Sequence, residues 1–177
     1  SEYIDALAVQ ARTIDDLSSI AKAIRAKISE TGKFPYDYIT IDSGTILEDI
    51  AKQYALKLYQ ATPMAKDKIT GKIYNDDILK LPKGGGYYYL REAFDTIVSM
   101  FRELCKNFIL VCHCKDSLVD KDGREMSEMG VDLSGKLSRI VAQNSDAIGL
   151  VYRTGKKTYV NFNGGSDAIV EARAPHL

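Results

Sequence analysis

Asp42 closes the short run Tyr38-Ile39-Thr40-Ile41 and is followed by Ser43 and Gly44. A β-branched and aromatic run of this length reads as a buried parallel strand. An acid at the carboxyl end of such a strand sits where open α/β sheets bind their ligands. From there a carboxylate can hold a water of a Mg²⁺ ion beside phosphates. The same residues also allow a plainer role, in which Asp42 or Ser43 caps the helix that follows.

A second group lies at Cys112-His113-Cys114, after the apolar run 108–112. His113 ends that run as Asp42 ends its own, so it could sense a phosphate or position a water. A hydrogen-bonded histidine with no chemical role fits equally well. Zinc is disfavoured, because on a strand Cys112 and Cys114 face one side and His113 the other. Buried structural cysteines suit the pattern better. Lys136 stands at a predicted helix start, where the helix dipole does not favour a cation; it faces either an anion or solvent. Lys80, Lys83, Tyr87, Tyr88 and Arg91 flank the triplet Gly84-Gly85-Gly86. Cations and rings together suit single-stranded nucleic acid, and a solvated loop with tyrosines packed on the body is the alternative. The phosphate loop G-x-x-x-x-G-K-[ST] does not occur in the sequence. Gly155-Lys156-Lys157-Thr158 resembles its end, but the upstream glycine is misplaced and the segment joins two strands, whereas a phosphate loop feeds a helix.

Positioning these residues requires an alternation of strands and helices. Residues 3–9 alternate weakly and read as a strand. Thr13-Ile14-Asp15-Asp16 matches a capping box, with Thr13 as N-cap. Leu17, Ile20, Ala21, Ile24 and Ile28 continue it at helical spacing, and Gly32 stops the helix. Thr45 to Glu48 matches a second capping box, opening a helix that runs to about residue 59. Residues 61–86 carry five lysines and no period, and read as a long mobile insertion. Leu90, Phe94, Ile97, Val98, Phe101, Leu104 and Cys105 mark a third helix. Residues 114–133 read as a mobile loop, and 134–143 as a helix. Residues 148–152 and 158–162 form a hairpin. This order predicts an α/β fold: a mostly parallel sheet flanked by helices, with antiparallel edge strands at the carboxyl end.

Length and composition agree with that class. The 177 residues predict one domain. Lysine plus arginine and aspartate plus glutamate are both 24, so overall charge argues for neither nucleic acid nor membrane. Three cysteines in one stretch are not a disulfide framework. No apolar run has transmembrane length and no signal-peptide pattern is present, so the expected location is cytoplasmic. The chain opens on Ser1-Glu2-Tyr3 without a methionine, and we read its amino terminus as processed, trimmed or incompletely represented.

Together these pieces resemble the AAA-type, RecA-like P-loop NTPases encoded by phages, a group of nucleotide-binding or single-strand-annealing-associated ATPases. The likeness is carried by Thr13-Ile14-Asp15-Asp16-Leu17 and by Tyr38-Ile39-Thr40-Ile41-Asp42-Ser43, which is similar to the family's Walker B strand. It is carried further by Phe108-Ile109-Leu110-Val111-Cys112-His113, by Asp132-Leu133-Ser134-Gly135-Lys136-Leu137, by Asp146-Ala147-Ile148-Gly149-Leu150 and by Arg173. The resemblance implies a single RecA-like core over residues 1–177 that binds and hydrolyses ATP with Mg²⁺. It implies that Asp42 is the Walker B acid, holding Mg²⁺ through water with Ser43 beside it, and that His113 is the sensor residue. It further implies that Lys136 acts on a neighbouring subunit's nucleotide in a ring or filament. DNA recombination or replication in a host cytoplasm is the implied setting, with a non-catalytic scaffold for single-stranded DNA or a protein partner as the alternative. Family members carry a strand and phosphate loop before the matching segment, so these are expected upstream of Ser1.

Overall fold

The computed structural model describes residues 6–121, 124–163 and 171–172, with side chains described for 6–116 and 129–163. Two compact units divide the chain, Ser1–Val111 and Cys112–Leu177.

In the first unit, α1 (Ile14–Thr31) begins at Thr13 with a complete capping box. The Thr13 hydroxyl accepts from the Asp16 N–H at 3.1 Å, and the Asp16 carboxylate accepts from the Thr13 N–H at 3.0 Å. Gly32 ends the helix in the left-handed conformation. Strand β1 (Tyr38–Asp42) follows, then α2 (Gly44–Gln60). The second expected capping box is corrected here. Ser43 is the N-cap of α2 and makes no side-chain cap bond. The Glu48 carboxylate instead meets Lys52 one turn on, at 3.0 Å. The expected strand 3–9 is also corrected for its described part: residues 6–9 are exposed and lie outside any strand, while 3–5 fall outside the described residues.

Residues 61–84 are ordered by three short 3₁₀ turns, Pro63–Ala65, Ile78–Lys80 and Pro82–Gly84. Aromatic contacts tie this insertion down. The Tyr59 ring meets Tyr74 at 5.6 Å and Tyr89 at 5.3 Å, both edge-on. The Gln60 amide donates to the Tyr74 carbonyl at 2.9 Å. Helix α3 (Gly85–Arg102) then packs along α2. Gly86 lets the insertion close onto the start of α3: a Cβ there would lie 1.8 Å from the Ile78 carbonyl oxygen. Leu47, Ile50, Ala51 and Ala55 of α2 and Leu90, Ala93, Phe94, Ile97 and Phe101 of α3 are buried, as is Ile78 of the insertion.

Strand β2 (Asn107–Val111) lies parallel to β1, with Ile39 opposite Phe108 and Asp42 opposite Val111. Lys106 and Asp37 form an ion pair at 2.6 Å just before the two strands begin. Ile39, Ile41, Phe108 and Leu110 are half-buried, whereas Tyr38, Thr40, Asp42, Asn107, Ile109 and Val111 are exposed. Of the mostly parallel sheet expected from the sequence, the described residues contain this one parallel pair.

The second unit is mixed and largely antiparallel. The segment 114–133, expected as a loop, forms a hairpin of β3 (Cys114–Lys121) and β4 (Arg124–Val131). The short α4 (Leu137–Gln143) packs against β4 and buries Leu137 and Ala142, while Leu133 is buried just ahead of it. Lys115 donates to the Leu133 carbonyl at 2.6 Å and pairs with Asp132 at 3.2 Å. Strand β5 (Ala147–Ile148) pairs with β8 (Glu171–Ala172). Strands β6 (Leu150–Thr154) and β7 (Lys157–Asn161) form the expected hairpin as a two-stranded sheet of its own.

Candidate functional site

The carboxyl end of β1 presents Asp42 to solvent, directly before the buried Ser43 and the first turn of α2. The peptide bond between Asp42 and Ser43 is cis. Asp42 lines a hollow of about 730 Å³. Its walls are the chain from Ala8 to Arg12 and one face of α2 carrying Ile46, Asp49, Ile50 and Gln53. A hollow of this size lies within the roughly 300–1,000 Å³ of small-molecule sites. Two carboxylates, a guanidinium and side-chain amides share its rim, so it combines anionic, cationic and neutral hydrogen-bonding groups. The carboxylate of Asp42 is free to take a water-bound cation, which hard oxygen ligands favour.

Arg12, Asp49 and Gln53 were not singled out in the sequence. The signal was present: Ile46, Asp49, Ile50 and Gln53 recur at i, i+3, i+4 and i+7, one helix face beginning four residues after Asp42. Asp49 also pairs with Lys52 at 3.1 Å. Burial pushes the Lys52 ammonium's pKa down, but its hydrogen bonds to Glu48 and Asp49 outweigh this and hold it above the usual 10.5. Glu48 is only 3% exposed, so Lys52 neutralises a charge within the unit.

The other expected residues are distributed as follows. Ser43 stands beside Asp42 in the first unit, whereas His113 and Lys136 belong to the second. His113 is exposed, two residues past the end of β2, and its carbonyl accepts from the Asp132 N–H at 2.8 Å. Lys136 is exposed and precedes α4 as its N-cap residue, after Gly135 in the left-handed conformation. Lys80 is held by Asp76 at 3.2 Å, and that hydrogen bond raises its pKa. Lys83 is exposed with a left-handed φ of 57°. Tyr87 and Tyr88 are exposed, and Arg91 is half-buried. Arg173 lies outside the described residues.

Cys105 is buried, its thiol donating to the Phe101 carbonyl at 3.6 Å, and burial raises its pKa. Cys112 is half-buried and Cys114 exposed. Among the described residues, no three His, Cys, Asp or Glu side chains come together to hold a metal ion, and no helix is long and apolar enough to cross a membrane. A family model described as an AAA domain matches residues 1–167 of the chain. No curated protein and no solved structure matches it.

Proposed function

The chain belongs to the AAA-domain family of P-loop NTPases, and from that premise we propose that residues 1–177 form one RecA-like core that binds and hydrolyses ATP with Mg²⁺. The observation supporting this reading is the exposed Asp42 carboxylate at the end of a parallel strand, on the rim of a hollow of ligand size. Asp42, with Ser43 beside it, holds a water of the metal. His113 orients the attacking water or senses the phosphate, and Lys136 acts toward the nucleotide of a neighbouring subunit in a ring or filament. Bound there, Mg²⁺ supplies charge neutralisation as the phosphoryl group transfers. The sequence contains no G-x-x-x-x-G-K-[ST], so in this proposal the β- and γ-phosphates are cradled by a loop outside these 177 residues. The setting is DNA recombination or replication of a phage in its host's cytoplasm.

The test is Mg-ATP binding and hydrolysis by the complete gene product and its Asp42→Asn variant. Removing the carboxylate charge is expected to lower hydrolysis by about 100-fold or more, the usual loss for one electrostatic contact to the transition state. Unchanged hydrolysis, or no Mg-ATP binding by the unaltered protein, refutes the reading.

A second reading is a non-catalytic scaffold that binds single-stranded DNA or a protein partner. It is favoured by the exposed Lys83, Tyr87 and Tyr88 at the start of α3. Lys80 contributes less, because Asp76 already neutralises it. Affinity for an oligonucleotide that does not fall with salt would count against phosphate contacts on this surface.

A further inference from the structure

The β6–β7 hairpin is poorly explained by packing. Its register sets Tyr152 opposite Tyr159 and Val151 opposite Val160, and alternation puts the two pairs on opposite faces. Both faces are open: Tyr152 and Tyr159 are 45% and 43% exposed, and Val151 and Val160 are 64% and 56% exposed. A two-stranded hairpin alone is marginal in water, so exposed apolar residues on both faces point to a partner. Its base is anchored, since Phe162 and Val160 crowd the position where Gly149 would carry a Cβ, at 2.8 and 3.0 Å.

Charge and ring geometry say what the partner is. From Leu150 to Asn161 the hairpin carries Arg153, Lys156 and Lys157 and no acid. None of the three cations has an ion-pair or hydrogen-bond partner among the described residues. Gly155, at φ 61°, turns the chain so that Lys156 stands at the tip. Lys157 shares the tyrosine face, two residues from Tyr159 and about 7 Å away along the strand. The Tyr152 and Tyr159 rings lie 5.5 Å apart at 19°, a near-parallel stack open to water. We infer that this hairpin binds single-stranded nucleic acid, its tyrosines stacking on bases and Lys156 at the tip and Lys157 on the same face meeting phosphates. Aromatic platforms beside cations are how such strands are held without sequence preference. A duplex keeps its base faces stacked inside, and an acidic protein surface would answer the cations alone. The inference stands apart from the ATP reading and uses different residues from the surface around Lys83 and Tyr88.

The test is fluorescence anisotropy of labelled dT20 with the complete protein and no nucleotide, alongside a duplex of equal length and polyglutamate. Lys156→Gln with Lys157→Gln alters only the turn and the first residue of β7, so folding is preserved. This pair is expected to weaken dT20 binding and to flatten the plot of log affinity against log salt by about 0.7 per lost phosphate contact. Tyr152→Ala or Tyr159→Ala is expected to weaken binding by about 5- to 150-fold, the value of one stacked base. Tyr152→Phe and Tyr159→Phe, which keep the stack, should bind as the unaltered protein does. No binding of dT20, tighter binding of the duplex, or equal binding of polyglutamate overturns the inference. So does dT20 affinity that falls with Lys83→Gln and Tyr88→Ala but not with the hairpin variants, a result that would instead support the second reading.

Discussion

Lys52 serves two carboxylates of α2 at once, Glu48 at 3.0 Å and Asp49 at 3.1 Å. The two bonds differ in weight, because Glu48 is buried and Asp49 is exposed. Lys52→Met would remove the Lys52 ammonium from the buried Glu48 carboxylate, and is expected to destabilise the protein by about 3 kcal/mol in urea unfolding, the lower end for a broken buried pair. Adding Glu48→Leu to that variant removes the buried carboxylate as well and should recover most of the loss. If Lys52→Met alone is neutral, the pair is ornamental. At this scale the sequence was partly legible. Asp42 stood out because one acid closing an apolar run is a local signal. Glu48 misled, since Thr45-x-x-Glu48 fits a capping box as well as Thr13-x-x-Asp16 does. The choice turned on Lys52, one turn further on, and on the extended backbone of Ser43, which took the N-cap position first. Lys80 misled for the same kind of reason: Asp76, four residues away on the chain, claimed its charge.

Elements carry two further expectations. The Asp16 carboxylate accepts from the N–H groups of Arg12 and Thr13 at the head of α1, and these bonds lower its pKa below the usual 3.8, the Arg12 bond most. A carboxyl whose pKa is lower in the folded state stabilises the fold above its unfolded value and ceases to do so as pH falls through the folded one. Hydrogen exchange in the first turn of α1 should therefore be slow above pH 3.8 and quicken, relative to the intrinsic rate, as acid protonates Asp16; no acid response beyond that of Asp16→Asn would refute it. The start of α3 offers a paired test. Gly86→Ala forces a methyl into the Ile78 carbonyl and is expected to cost several kcal/mol, on the order of 3, by overpacking. Gly85→Ala meets open space and should be neutral or stabilising by up to about 1 kcal/mol from helix propensity. Equal melting temperatures for the two variants would contradict the close approach. The hairpin of β3 and β4 was missed because its strands are polar, with little period-2 apolar alternation to read. The Asp122-Gly123 dipeptide between them is a hairpin signal that glycine-punctuated polarity obscured.

For the whole molecule, local order was more legible than sheet membership. The first unit's helices and both of its strands follow from spacing, α1 from its cap as well, and the parallel pairing of the strands agrees with the alternation of elements. Sheet breadth does not follow in the same way, because a strand's neighbours are set by long-range contacts that a short apolar run does not encode. Tyr38, Ile109 and Val111 show this: all three read as core from the sequence and all are exposed. A parallel sheet ordinarily has both faces covered, so the pattern 38–42 and 107–111 carries more apolar surface than the described residues bury. The tyrosine contacts have an optical consequence. The chain has eleven tyrosines and no tryptophan, so its intrinsic fluorescence and near-ultraviolet dichroism arise chiefly from tyrosine. Tyr59, Tyr74, Tyr88 and Tyr89 touch one another in the first unit, and Tyr152 and Tyr159 stack in the second. Each unit thus contains its own chromophore group, and a spectroscopist can follow either one by removing the other's rings, with no label attached.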